Sequence, residues 1–507
     1  MSARAALLAS AVGSAAALLL AVWVGFAGPL SVAIPGPGGD ALPALYFDRL
    51  TSILLLLVFG VTATVQAFAS RYLAGDVRAG RFFWASTLLL AATAAMVSAA
   101  TLVGLALAWT LAGAALCTLL GVYAGFPDAD EGVRRTRRAF AVGDGALWAA
   151  VAVALVAWGN LDLRDLGGSA AGLDPGGGAL TAVACLVLVA ALARSAQLPL
   201  QGWLPATLAA PTPVSALLHA GVVNAGGILL VRLAPIFGAS PAATHLAFLV
   251  GAATAVYGTA LMLTKPDVKG ALAHSTIGQM GFMIMTCGLG AYAAAIFHLV
   301  GHGMYKASLF LGSGGAIRGR VRAAKAPPPP RPARAGLGLA ALSLLIPAGA
   351  LALAAAIVQP HLGGADGGGV LLVFALATGA WLTRGWLRRR PGLGGFATAA
   401  ALGVLAALAY VAGITAFAEF LRPALAGAGT AGVPPLAATA ALVPLAGLAA
   451  LRRPPRSGWW RQIAETAYVW ALELGHVVPG EAGRGEGWRP RRRGLATLRT
   501  APEGAAS

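Results

Sequence analysis

The chain has 507 residues, 58% of them hydrophobic and only 11% charged, whereas soluble globular domains carry roughly 25% charged residues. That excludes a single-core soluble protein, and the hydrophobicity excludes a disordered one. The 36 Lys and Arg outnumber the 18 Asp and Glu, for a formal charge of +18. The bases fall in short stretches between apolar runs, with no basic stripe of interleaved aromatics, so membrane topology accounts for them rather than nucleic-acid binding. The 68 glycines and 30 prolines also suit membrane helices, where both are common. The composition defines an all-α, polytopic integral membrane protein.

Apolar runs of about 18 residues or more, long enough to cross a bilayer as helices, recur along the chain. They lie near 5–26, 47–69, 82–102, 104–125, 139–158, 178–198, 214–232, 244–263, 270–288, 291–314, 335–357, 369–387, 394–420 and 433–451. These predict about 13–14 transmembrane helices. The first run has too long an apolar core for a signal peptide and is read as an uncleaved span. The organisation follows: N-terminal helices over 1–125, a translocation core over 126–320, a Pro-rich linker over 321–334, C-terminal helices over 335–453 and a basic tail over 454–507. Residues 326–334 read as stiff polyproline. In the tail, Trp459, Trp460, Ile463, Tyr468, Val469, Trp470, Leu472 and Leu474 suit an interfacial helix, and the last 25 residues read as disordered.

Charge sets the orientation. Arg71, Arg78 and Arg81, then Arg134, Arg135, Arg137 and Arg138, Lys265 and Lys269, Arg318 to Lys325, Arg384 and Arg388 to Arg390, and Arg452 and Arg453 each follow an even-numbered span. Asp40, Asp48, Asp162, Asp165, Asp174 and Asp366 lie on the other side. The positive-inside rule puts the even side and the N-terminus in the cytoplasm of a cell whose inner membrane holds the protein. Cys117, Cys185 and Cys287 are widely spaced within apolar runs and read as core packing, with no metal or disulfide framework.

Ionisable residues at membrane depth are costly and default to functional candidates. In the tenth span His298, His302 and Lys306 recur every four residues, on one helix face, climbing about 12 Å along the axis. Such a ladder suits a proton relay, since histidine titrates near neutrality and a buried lysine, unlike arginine, can lose its proton. Interhelical hydrogen bonding is the alternative. Between Arg194 and His219, Pro199, Pro205, Pro211 and Pro213 fall within 15 residues. No regular helix continues through them, and a broken helix at this depth lines a cavity or is buried in protein. Lys269, entering the ninth span behind Asp267, either reaches inward or marks the cytoplasmic face. Only four of the 36 basic residues are lysines, three of them at 265, 269 and 306. Glu419, late in the thirteenth span, is a lesser candidate, expected to reach outward.

At these residues the sequence resembles the antiporter-like subunits of respiratory complex I and the Mrp cation/proton antiporters. The likeness runs over about 45–320 and rests on Gln197 to Pro205, Pro211 to His219, Ser275 to Met283 and the His298/His302/Lys306 ladder. It implies a proton path through Arg194, His219, Lys269, His298, His302 and Lys306. Two departures stand out. Where the family has Gly-Trp-Glu, this chain has Ala108-Trp109-Thr110, so the acid is missing. The family's broken-helix lysine is Arg194, whose guanidinium does not deprotonate, so its role there is expected to be electrostatic.

A narrower family fits better. Tyr72 to Asp76, Gly80 to Phe83, His219 to Gly227, Cys287 to Tyr292 and His302 to Phe310 resemble the DabB membrane subunits of inorganic-carbon accumulation systems. The resemblance implies that flux of protons, or of another monovalent cation, drives CO2 hydration in a peripheral, zinc-containing DabA-like subunit. No cofactor and no zinc set are expected in this chain. The alternatives are a subunit of an NADH-quinone oxidoreductase or Mrp-type antiporter, and a scaffold whose proton path has decayed.

Overall fold

A computed structural model describes residues 1–35, 41–166, 177–315, 337–358 and 368–428, with a few scattered positions beyond. Alanine and leucine, strong helix formers, dominate its helices: α1 (Ala3–Ala27), α2 (Arg49–Tyr72), α3 (Ala79–Ser98), α4 (Leu102–Leu120), α5 (Pro127–Trp158), α6 (Gly178–Arg194), α7 (Thr212–Ala220), α8 (Ala225–Arg232), α9 (Pro241–Thr264), α10 (Val268–Gly288), α11 (Tyr292–Leu311), α12 (Leu337–Val358), α13 (Gly368–Arg389) and α14 (Leu393–Leu421). Several starts are set by side-chain caps. Asp48, Thr101 and Asp267 each accept the backbone N–H three residues on, from Thr51, Gly104 and Gly270.

Each of the first thirteen predicted spans meets a helix or helix pair. Among the described residues, nine helical stretches are long and apolar enough to cross a membrane, and Gly178–Arg194 is a shorter apolar helix. The fourteenth predicted span (433–451), the Pro-rich linker, the interfacial segment and the tail lie outside the described residues.

The all-helical expectation needs one correction. Leu30–Pro35 and Ala41–Phe47 form antiparallel strands β1 and β2. Their alternation of β-branched and aromatic residues with small ones suits a strand, and two strands satisfy one another's backbone outside a helix. Beside this hairpin, Asp48 and Arg232 pair at 2.6 Å, both largely buried. This hairpin end lies opposite the basic end, where the turn after α2 carries Arg71, Arg78 and Arg81.

Backbone proximity sets the packing of α9 on α10. A Cβ on Gly281 would sit 2.7 Å from Gly251 O, and one on Gly258 2.8 Å from His274 O. Only glycine admits this approach.

The broken helix contains two separate interruptions. α6 stops at Arg194 in a Schellman motif: Gln197 N–H donates to Leu192 O at 2.9 Å, across Ala196 at φ 51°. The chain resumes through a short helix, Trp203–Ala206, and re-enters as α7, with Pro211 and Pro213 at its start. The second break falls inside the predicted span 214–232. A 3₁₀ turn, Val222–Asn224, divides α7 from α8. Carbonyls at this break are met by side chains, as burial demands: Asn224 Nδ2 donates to Ala220 O at 2.7 Å, and His302 Nε2 donates to His219 O at 3.2 Å. Gly303 lets α11 close on the break, since a Cβ there would meet Ala220 O at 2.9 Å.

Candidate functional site

Four helices surround Arg194, which is 1% exposed. Its Nη2 donates to Asp144 Oδ1 at 2.8 Å and to Trp109 O at 3.2 Å. The guanidinium lies over two aromatic rings, Trp109 at 4.4 Å and Phe140 at 4.1 Å, an arrangement favoured by cation–π attraction. Gly113 leaves room for it: a Cβ there would sit 2.9 Å from Nη2. Trp109 Nε1 also donates to Asp144 Oδ1, at 2.9 Å.

This corrects the reading that the acid is missing. Position 110 is Thr, whose hydroxyl donates to Ala106 O, but α5 supplies Asp144 instead. The sequence held the signal, an acid between Gly143 and Gly145 within an apolar run. The correction also bears on the electrostatic role expected of Arg194, because its charge is compensated at contact distance.

His219 is buried and belongs to a continuous network. The Thr276 hydroxyl donates to Leu272 O at 2.9 Å, so its oxygen accepts from His219 Nδ1 at 3.1 Å. Leu272 O also accepts from Lys306 Nζ at 3.2 Å, and Lys306 donates to Ser275 Oγ at 2.8 Å. Two shared acceptors therefore join His219 to Lys306. The His219 ring stacks on Phe310 at 4.5 Å.

His302 closes the network on its other side. Its Nε2 faces His219 O, and its Nδ1 faces Gln279 Oε1 at 2.7 Å. A backbone carbonyl only accepts, which fixes a proton on Nε2. Nδ1 then either donates to the Gln279 carbonyl or, with the amide turned over, accepts from its NH2. The site thus holds both the neutral and the charged ring, with Gln279 adjusting between them.

Lys306 is fully buried, and among the described residues no carboxylate pairs with it. His298 packs edge-on to Phe282 at 4.9 Å and lies 5.9 Å from the His302 ring. Its Nε2 is shielded and without a hydrogen bond among the described residues. Lys269 turns inward, donating to Ala210 O at 2.9 Å and Leu208 O at 3.4 Å. The partners on α10 order the groups by depth. Lys306 meets Leu272 and Ser275, His302 meets Gln279, and His298 meets Phe282. Glu419 stands apart: it is half exposed and pairs with Arg422 at 3.4 Å. The proline set 199, 205, 211 and 213 shapes the re-entry and touches none of these groups through hydrogen bonds. Sequence reasoning passed over Asp144, Thr276, Ser275 and Gln279 as site residues. The last three sit on one α10 stretch, at spacings that return to the face of Leu272.

Among the described residues no group of three or more His, Cys, Asp and Glu side chains is placed to hold a metal. Outside the spans, Asp76 at the basic end accepts the Tyr123 hydroxyl and the Arg78 N–H. These bonds hold its carboxyl below the usual range.

A buried relay of two histidines and a lysine beside a broken helix, with a charge pair on the next helices, defines an antiporter-like membrane subunit. Residues 99–327 match the family described as NADH:quinone oxidoreductase/Mrp antiporter, transmembrane, and residues 40–83 the complex I chain 5 N-terminus. Together these take in more than half of the chain, which belongs to the complex I/Mrp antiporter-like family. The chain is 42% identical over 284 residues to a probable inorganic carbon transporter subunit DabB1 of Halothiobacillus neapolitanus, covering 55% of this chain and 51% of the relative. It is 38% identical over 288 residues to the NADH-quinone oxidoreductase subunit L of Mycobacterium tuberculosis, 56% of this chain and 45% of that one. The chain thus spans about half the length of these relatives. Its fold is similar to a chain of the Mrp complex from Dietzia sp., with TM-score 0.60, 25% identity, and coverage of 94% of this chain and 59% of that one. A chain of an archaeal membrane-bound sulfane sulfur reductase shares the fold at TM-score 0.55 and 18% identity, over 93% of this chain and 91% of that one.

Proposed function

We propose that this chain translocates protons as the membrane subunit of an inorganic-carbon uptake complex, driving CO2 hydration in a peripheral, zinc-bearing, DabA-like subunit. The observation that carries the proton reading is the unbroken buried network from Lys306 through Leu272 O and Thr276 to His219, and from its carbonyl to His302 and Gln279. The likeness to the DabB1 subunit supports the carbon reading.

In this mechanism the basic end faces the cytoplasm of the inner membrane. Lys269 receives the proton nearest that end, where backbone carbonyls stabilise its ammonium. Lys306, with only neutral partners, gives up its proton more readily than a paired lysine. His219 and His302 hold it next, each hop forming one N–H bond as another breaks. Rotation of the Gln279 amide accommodates each state of His302. The Arg194–Asp144 pair sets the field beside the break.

The test is purification of the tagged chain from its own membranes. A co-purifying soluble protein with stoichiometric zinc and CO2-hydration activity in sealed, energised membranes supports the carbon reading. A set of redox subunits in its place would transfer the chain to the oxidoreductase reading.

A further inference from the structure

Arg194 leaves a gap in any proton route past the broken helix, because a guanidinium keeps its protons. Beside it lies a cavity of about 40 Å³, bounded by α2, α3, α4 and the α7–α8 break. Arg194, Asn224, Thr62, Ser86 and Thr93 supply its polar lining, and the rest is apolar. A water needs roughly 10–15 Å³ of such space and two to four polar partners, so the cavity has room for about three.

Asn224 points to what the cavity holds. The residue is 1% exposed. Its Nδ2 donates to Ala220 O, which fixes the amide orientation. Its Oδ1 accepts from no group among the described residues. A buried amide carbonyl without a donor costs about 1–3 kcal/mol, a cost that a water donating to it removes. Thr93 donates to its own helix at Leu89 O, and Ser86 donates to Phe83 O. Both hydroxyl oxygens keep acceptor capacity.

We propose that Asn224 Oδ1, with the Thr62 and Thr93 hydroxyls, organises an internal water cluster that carries protons around Arg194. This rests on the proton reading above and adds a site to it. Each hop along the cluster forms one O–H bond and breaks one. The waters are regenerated, Arg194 stays protonated against Asp144, and no oxidant or reductant is involved. Asn224 ties the cluster to the relay, since the Ala220 carbonyl that it caps adjoins the His219 carbonyl held by His302.

Radiolytic hydroxyl footprinting in ¹⁸O water, on the full chain in nanodiscs, reads the cluster directly. Met96 lines the cavity and is 5% exposed, whereas Met280 is fully buried elsewhere. The wild type is expected to label Met96 at least several-fold more than Met280. Asn224→Leu should lose that label and at least ten-fold of the proton flux into proteoliposomes, while Asn224→Ser retains most of both. Thr62→Val, which keeps volume and leaves the break untouched, should lower both if Asn224→Leu does not fold. An unlabelled Met96 in the wild type overturns the water site, as does full flux in folded Asn224→Leu or, in its place, Thr62→Val. A wild type that labels Met96 but moves no protons contradicts the proton reading and leaves the water site standing.

Discussion

Arg194 and Asp144 are worth more together than apart. Removing one member of a buried ion pair strands the other charge, at a cost of about 3–5 kcal/mol, whereas replacing both is often close to neutral. Asp144 is 21% exposed at its side chain, so the lower end of that range applies. Arg194→Gln is therefore expected to lower stability to denaturant by about 3 kcal/mol, and adding Asp144→Asn to recover much of the loss. A double-mutant cycle checks this, and strictly additive losses would contradict it. His302, Lys306 and His219 were legible in the sequence because spacing of four on an apolar helix is itself a geometric statement. Asp144 was not read, since its partner lies 50 residues away in sequence and only packing of α5 on α6 unites them. Thr110 also drew attention away from it by standing where the family keeps its acid.

The α9–α10 pair carries the α10 face on which Leu272, Ser275, Thr276 and Gln279 stand. Gly281→Ala would set a methyl against the Gly251 carbonyl and part the two helices, and overpacking of this kind costs about 1–3 kcal/mol. The expected result is a lower thermal midpoint together with reduced flux, because Gln279 shifts with its helix. A normal midpoint would show that the helices yield without cost. The turn between α2 and α3 answers to pH. Asp76 has its folded pKa depressed by Tyr123 and Arg78, so the turn is stabilised above the ordinary carboxylate range near 4 and loses that support as pH falls through the lower, folded value. Amide hydrogen exchange in the turn should quicken at acid pH in the wild type and lose that pH dependence in Asp76→Asn. Helix positions were readable from apolar run length alone. The hairpin was not, because its strands are short and one was absorbed into the start of the second predicted span. The α7–α8 break was hidden because Gly221 and Asn224 interrupt a run that stays apolar.

Across the whole chain, the alternation of basic and acidic loops argues for one orientation. Reporter fusions at 130 and 388 are expected to read cytoplasm and one at 165 periplasm, and a reversed pattern would invert the direction of the proposed flux. The relay occupies α7, α10 and α11, with Arg194 and Asp144 on the adjoining α5 and α6, all within residues that match the antiporter-like family. The central claim is that this buried array moves protons. Its most direct test is pH-dye flux into sealed proteoliposomes holding the purified complex, comparing wild type with Lys306→Ala at equal folded protein. The account predicts proton uptake driven by an imposed gradient in the wild type, and at least a ten-fold loss in Lys306→Ala with assembly intact. Undiminished uptake by Lys306→Ala would contradict it.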